Sequence, residues 1–236
     1  MREQPDAVAF DCDGTIADTE SLSETAWSEV LRARGVAWTD EDFQVLVGRP
    51  FATNWAHFSA RGDLGAEQDF RGELRARFRE LFDAQLVVHD DVVAAMHEVA
   101  AWGVPIAVVS SSTRDHIERV LDRAGVAGTV AHIVASGDTT EHKPDPGPYL
   151  AACVALGVRP HRGVAVEDTP TGARSARAAG LHTVGVRRAH AVPELERQAH
   201  VVVDELRADD LRLPGPADGP ARRPSGGRAR SPGHRD

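Results

Sequence analysis

Two aspartates, Asp11 and Asp13, close a short apolar run in the stretch VAFDCDGTIADT, Val8 to Thr19. Successive strand residues face opposite ways, so both carboxylates can enter one crevice while Cys12 turns away. Gly14 then allows the tight backbone departure such a crowded site requires. Paired carboxylates repel unless a cation lies between them, and hard oxygen ligands favour a magnesium-like ion. Further along, the run Pro105 to Val109 ends in Ser110-Ser111-Ser112-Thr113, a later loop carries Lys143, and the run Gly163 to Val166 ends in Glu167-Asp168. Taken singly, Ser110 reads as a helix cap, Lys143 as a surface cation and Asp13-Gly14 as a turn. As a series they supply carboxylates for a cation, an ammonium and hydroxyls for anionic oxygens, and a helix N-terminus whose N–H groups attract anions. That inventory suits a phosphoryl group, whose transfer demands charge neutralisation and in-line positioning. Lys143 is singular for another reason: it is the one lysine among 27 basic residues, the rest being arginine. Arginine and lysine exchange freely on surfaces but not where a compact, rotatable ammonium is needed.

These groups require an open sheet that presents its strand ends together. Apolar runs at Val8–Phe10, Pro105–Val109, His132–Ala135, Gly163–Val166, Leu181–Val186 and His200–Val203 alternate with helical patterns, which predicts a parallel, doubly wound, Rossmann-like α/β sheet. Ligands of such sheets bind beyond the strands' carboxyl ends. Helices are expected over Val92–Trp102, closed by Gly103, and around Ile117–Ala124, closed by Gly125. A further helix is opened by Pro146, and another, Thr171–Ala179, is capped by Thr169 and Pro170 and closed by Gly180. Residues 19 to 88 interrupt the alternation and read as helical throughout. Ser21-Leu22-Ser23-Glu24 has a capping-box pattern ahead of the stripe Leu22, Ala26, Trp27, Val30, Leu31. Phe43 to Val47 form a short helix ending near Gly48-Arg49-Pro50, Trp55 and Phe58 belong to a third helix, and Phe70, Leu74, Phe78 and Leu81 to a fourth. The aromatics Trp27, Trp38, Trp55, Phe43, Phe51 and Phe58 are expected in the core of this bundle.

A chain of 236 residues can bury a full core with a smaller inserted unit. The formal charge is −9, and the stretch 214 to 236 holds five arginines against two aspartates, +3, leaving −12 for the remainder. That balance argues against nucleic acid as a partner of the folded part. The tail has almost nothing apolar to bury and is expected to be disordered. Cys12 and Cys153 form no disulfide framework, and a reduced cytoplasmic setting is expected. No apolar run approaches the ~18 residues of a membrane span, and the N-terminus lacks a signal-peptide core.

In these motifs the sequence resembles the haloacid dehalogenase superfamily, in its capped phosphatase and β-phosphoglucomutase-like branch. The motifs are, in order, DCDGT at Asp11–Thr15, the strand ending at Ser110, KPDPGPY at Lys143–Tyr149 and VEDTPTG at Val166–Gly172. The resemblance covers about residues 6 to 205 and implies a catalytic core at 1–17 and 89–212, a helical cap at 18–88 and a tail at 213–236. It implies Asp11 as the nucleophile that forms an aspartyl-phosphate, and Asp13 as acid and base whose carbonyl also ligates the metal. Asp11 and Asp168 would hold Mg²⁺ with support from Glu167, while Ser110, Ser111 and Lys143 would bind the phosphoryl oxygens. Asp13 favours phosphate over halide chemistry, and the absence of a cap lysine removes the phosphonate-cleaving Schiff base. Ser23 and Phe51 stand where mutases of this branch carry a histidine and an arginine, which favours hydrolysis over phosphate return. Gly48 and Arg49 are the cap candidates for substrate contact, Arg49 reading equally as a solvated arginine at a helix end. The implied enzyme is a monomeric, Mg²⁺-dependent phosphatase of a small phosphorylated metabolite, most readily a sugar phosphate. A hexose-phosphate mutase and a catalytically silent binding module are the alternatives.

Overall fold

The computed structural model describes residues 2–46, 51–188 and 194–215. Six parallel strands form one sheet among these residues: β1 (Ala7–Phe10), β2 (Ile106–Val109), β3 (Val130–Val134), β4 (Gly163–Glu167), β5 (His182–Val186) and β6 (Val201–Val203). Their spatial order is β3-β2-β1-β4-β5-β6, so the winding reverses at β1. Val8 and Phe10 lie opposite Ile106 and Val108 on one side and Val164 and Val166 on the other. Alternation then divides the strands between two cores. Val8, Phe10, Ile106, Val108, Val164 and Val166 pack with Val92, Met96 and Val99 of α5 (Asp90–Ala101) and Ile117 and Leu121 of α6 (Arg114–Ala124). Ala9, Ala107, Val109 and Ala165 pack with Tyr149, Ala152 and Cys153 of α7 (Gly147–Leu156) and Ala176 and Ala179 of α8 (Pro170–Ala179). Helices on both faces explain why the strands read as unbroken apolar runs.

Between β1 and α5 the described residues make four helices, α1 (Glu20–Ala33), α2 (Asp40–Leu46), α3 (Phe51–Ser59) and α4 (Glu67–Gln85). They form the expected helical bundle around Trp27, whose ring centroid lies 5.6 Å from Phe51 and 5.3 Å from Phe58 and Phe70. Trp27, Phe43 and Phe58 are buried, and Trp38, Phe51 and Trp55 are partly so. The two chain crossings into and out of this bundle are tied together: Asp18 N–H donates to the Val87 carbonyl and His89 N–H to that of Ile16, both at 2.9 Å. The bundle therefore hangs on the loop that carries Asp11 and Asp13.

Two local expectations are corrected. The pattern at Ser21–Glu24 is not the cap of α1, which begins at Glu20. The Asp18 carboxylate instead receives the Ser21 N–H at 3.0 Å and its hydroxyl at 2.7 Å, because the hinge pairing brings the turn one step earlier. Pro146 stands just outside α7 as its N-cap rather than inside it. Residues 216–236 of the tail lie outside the described residues. No helix among those described is long and apolar enough to cross a membrane.

Candidate active site

The carboxyl ends of β1, β2 and β4, with the loop before α7, bring Asp11, Lys143, Glu167 and Asp168 together, with Asp13 and Ser110 in a second group beside them. Lys143 is the hub of the first. The Nζ donates to Asp11 Oδ1 at 2.5 Å, Glu167 Oε1 at 2.7 Å and the Val109 carbonyl at 2.9 Å, with its side chain 7% exposed. Three donors thus meet three acceptors in a closed space, a match to a tetrahedral ammonium and not to a planar fork. Although burial disfavours the ammonium, Asp11 and Glu167 hold its pKa well above the ordinary lysine value. Tyr149, the single tyrosine, donates to Glu167 Oε1 at 2.9 Å and lays its ring 5.2 Å from the Lys143 nitrogen. Glu167 Oε2 accepts from Thr169 Oγ1 at 3.0 Å and its N–H at 3.3 Å, so both oxygens of this fully buried carboxylate are engaged.

Asp11, Glu167 and Asp168 each present an oxygen within 4.8 Å of the others. Burial, reinforced by Glu167, pushes the Asp11 carboxyl up to about 8 despite Lys143. Burial and the neighbouring Asp11 and Glu167 likewise push Asp168 well above its ordinary value. Crowded, buried oxygen donors of one charge fit a hard divalent cation. Backbone close approach makes room for them. Gly14 has φ +79°, and a Cβ there would lie 2.1 Å from Asp168 Oδ2. At Gly172, in the first turn of α8, a Cβ would lie 1.7 Å from Glu167 Oε1. Gly172→Ala is therefore expected to destabilise the fold by ~3 kcal/mol, since neither the helix nor the pinned glutamate can yield. A lowered denaturant midpoint at unchanged slope would record it.

Asp13 faces a different set. Its Oδ2 accepts from Ser110 Oγ at 2.9 Å and Ser112 Oγ at 2.7 Å, and its Oδ1 from Thr19 Oγ1 and His116 Nε2, both at 2.8 Å. Burial works against its charge, but the bonds from His116, Ser112 and Thr19 win and hold it ionised well below the usual carboxylate range. Its carboxylate is thus committed to these donors, and only its main-chain carbonyl remains for the metal role the resemblance implies. Cys12 turns into the core as alternation requires.

Ser111 is exposed and, among the described residues, bonds none of these carboxylates. Ser112, two along from Ser110, bonds the same Asp13 oxygen as Ser110. Period-two alternation past the strand end puts Ser110 and Ser112 on one side. His116 was missed. It precedes Ile117 and stands one turn before Val120, at the margin of the buried face of α6, where a histidine reads as ordinary packing. Gly48 and Arg49 lie outside the described residues.

The profile of the haloacid dehalogenase-like hydrolases matches residues 5–180. Validoxylamine A 7'-phosphate phosphatase of Streptomyces hygroscopicus subsp. limoneus is 30% identical over 198 residues, 84% of this chain and 92% of that protein. Fructose-1-phosphate phosphatase YqaB of Escherichia coli K12 is 30% identical over 190 residues, 79% of this chain and 99% of that one. The crystal structure of CbbY from Rhodobacter sphaeroides in complex with phosphate superposes with a TM-score of 0.74 at 27% identity, covering 86% and 95% of the two chains. With its sheet, its inserted helices and its ordered motifs, the chain belongs to the haloacid dehalogenase-like hydrolase family.

Proposed function

We propose that this phosphoric monoester hydrolase cleaves a small sugar or polyol phosphate through an aspartyl-phosphate on Asp11, with Mg²⁺. The observation that carries the reading is the Lys143 hub, which joins Asp11 to Glu167 beside Asp168. In the first step Asp13 takes up a proton on Oδ2 from solvent as Ser110 turns to the phosphoryl group. An Asp11 oxygen then attacks phosphorus while the bond to the leaving oxygen breaks, and Asp13 delivers that proton to it. In the second, Asp13 takes a proton from water as the water oxygen attacks phosphorus, which frees Asp11 and releases phosphate. Ser110 binds a phosphoryl oxygen, Lys143 offsets the charge on Asp11 and exchanges one of its three acceptors for a phosphoryl oxygen, and the N-terminus of α6 adds its dipole. Mg²⁺ held by Asp11 and Asp168 would supply further charge neutralisation at those oxygens. Glu167, with both oxygens already engaged, supports the site chiefly by holding Lys143. The helices α1 to α4 act as a cap that excludes bulk water over the cleft.

Sugar phosphates are favoured because one of the similar proteins named above is a fructose-1-phosphate phosphatase. Hydrolysis is favoured over phosphate return because Ser23 and Phe51 offer neither an imidazole nor a guanidinium. The test is phosphate release from hexose phosphates, hexitol phosphates, phosphoglycolate and nucleotides, with Mg²⁺ and with chelator. Release from at least one sugar or hexitol phosphate is expected, falling by roughly 10²-fold or more in chelator and returning with Mg²⁺. Isomerised sugar phosphate without release would establish the mutase instead, and neither product would sink the enzymatic reading.

A further inference from the structure

We propose that His116 is a positioning residue for Asp13, clamping Oδ1 so that Oδ2 alone faces the leaving group, and that the inserted helix α4 holds His116 in place. The inference rests on the phosphatase reading above.

Asp13 Oδ1 and Oδ2 each accept two donors, but the donors differ in kind. Ser110, Ser112 and Thr19 offer hydroxyls that rotate. His116 offers a ring N–H whose direction is fixed by its two side-chain torsions, and among the described residues it is the one donor to Asp13 that is not a hydroxyl. An ionised carboxylate only accepts, so Nε2 carries the proton in this contact. When Ser110 turns to a phosphoryl oxygen, as proposed, Oδ2 loses a donor while Oδ1 keeps both Thr19 and His116. The asymmetry leaves Oδ2 as the oxygen that carries the catalytic proton. That proton passes from Oδ2 to the leaving oxygen and is replaced from water; none passes through the imidazole.

The ring itself is held from the other side. Its centroid lies 5.8 Å from those of both Phe78 and Phe82, on successive turns of α4. His116, Arg119 and Arg123 are spaced i, i+3 and i+7, one face of α6. Arg119 bonds the Asp83 carboxylate at 2.8 Å and lies 4.7 Å over the Phe82 ring, and Arg123 donates to the Asp83 carbonyl at 3.1 Å. One face of α6 is therefore clasped to the last turns of α4, and the clasp ends on the acid that serves the leaving group.

The experiment compares wild type, His116→Leu and His116→Gln on two substrates: 4-nitrophenyl phosphate, whose leaving group needs little protonation, and the sugar phosphate hydrolysed fastest in the panel above. Protonation matters in proportion to the basicity of the leaving oxygen. His116→Leu is expected to lose about 10²-fold in kcat on the sugar phosphate with KM little changed, and to stay within about threefold on the nitrophenyl ester. His116→Gln, whose amide N–H reaches the Nε2 position, is expected to recover most of the sugar-phosphate rate. Should His116→Leu not fold, His116→Asn, whose shorter amide cannot reach Asp13, replaces it. Equal losses on both substrates, or a glutamine variant no better than leucine, would overturn the proposal. A wild type inactive on both substrates would instead overturn the phosphatase reading beneath it.

Discussion

Asp11→Asn is expected to lower kcat by at least ~10³-fold, about 4 kcal/mol of transition-state stabilisation, on every substrate the wild type hydrolyses. An amide of the same shape cannot form the acyl phosphate that splits the reaction into two easier steps. The fold should be nearly indifferent. Burial, reinforced by Glu167, raises the Asp11 carboxyl to about 8, and Lys143 retains Glu167 as a partner when Asp11 is neutral. Stability within about 1 kcal/mol of wild type is expected, because removing one of several crowded buried charges also removes their repulsion. Thermal melting with steady-state rates separates the two statements. A variant that keeps more than a tenth of the activity would remove Asp11 as nucleophile.

Lys143→Arg should cost kcat/KM roughly 10²-fold or more although the charge is kept, since displacing a positioning group by about 1 Å has that effect. The Lys143 nitrogen meets Asp11, Glu167 and the Val109 carbonyl in a space with 7% of the side chain exposed. A guanidinium is larger and planar, and cannot aim donors at all three. Lys143→Met tests the same hub for stability: with Glu167 fully buried, loss of its cation is expected to destabilise by ~3–5 kcal/mol. Activity near wild type in Lys143→Arg would show that charge alone suffices.

The parallel sheet and the meeting of Asp11, Lys143, Glu167 and Asp168 were legible because they depend on short-range signals. A strand with both faces covered is apolar at every position, and its end is marked by the first polar residue, as at Asp11, Ser110 and Glu167. Lys143 was legible from composition, being a lysine in a chain that otherwise uses arginine. What the sequence does not register arises where packing between distant elements decides. Which serines face Asp13 depends on where the strand ends, which fixes Ser110 and Ser112 on one side. His116 depends on α4 and α6 lying against each other, a contact between residues at least 34 apart that periodicity does not register. At α1, Ser21–Glu24 satisfies a four-residue pattern, yet the pairing of Asp18 with Val87 and of Ile16 with His89 starts the helix earlier.

The central claim is covalent chemistry at Asp11, and rapid acid quench of wild type during turnover, followed by mass measurement of its peptides, tests it most directly. One added phosphoryl group is expected on the peptide containing Asp11-Cys12-Asp13, dependent on substrate and Mg²⁺ and absent from Asp11→Asn. Turnover continuing undiminished in Asp11→Asn, with no phosphorylated peptide trapped from wild type, would contradict it.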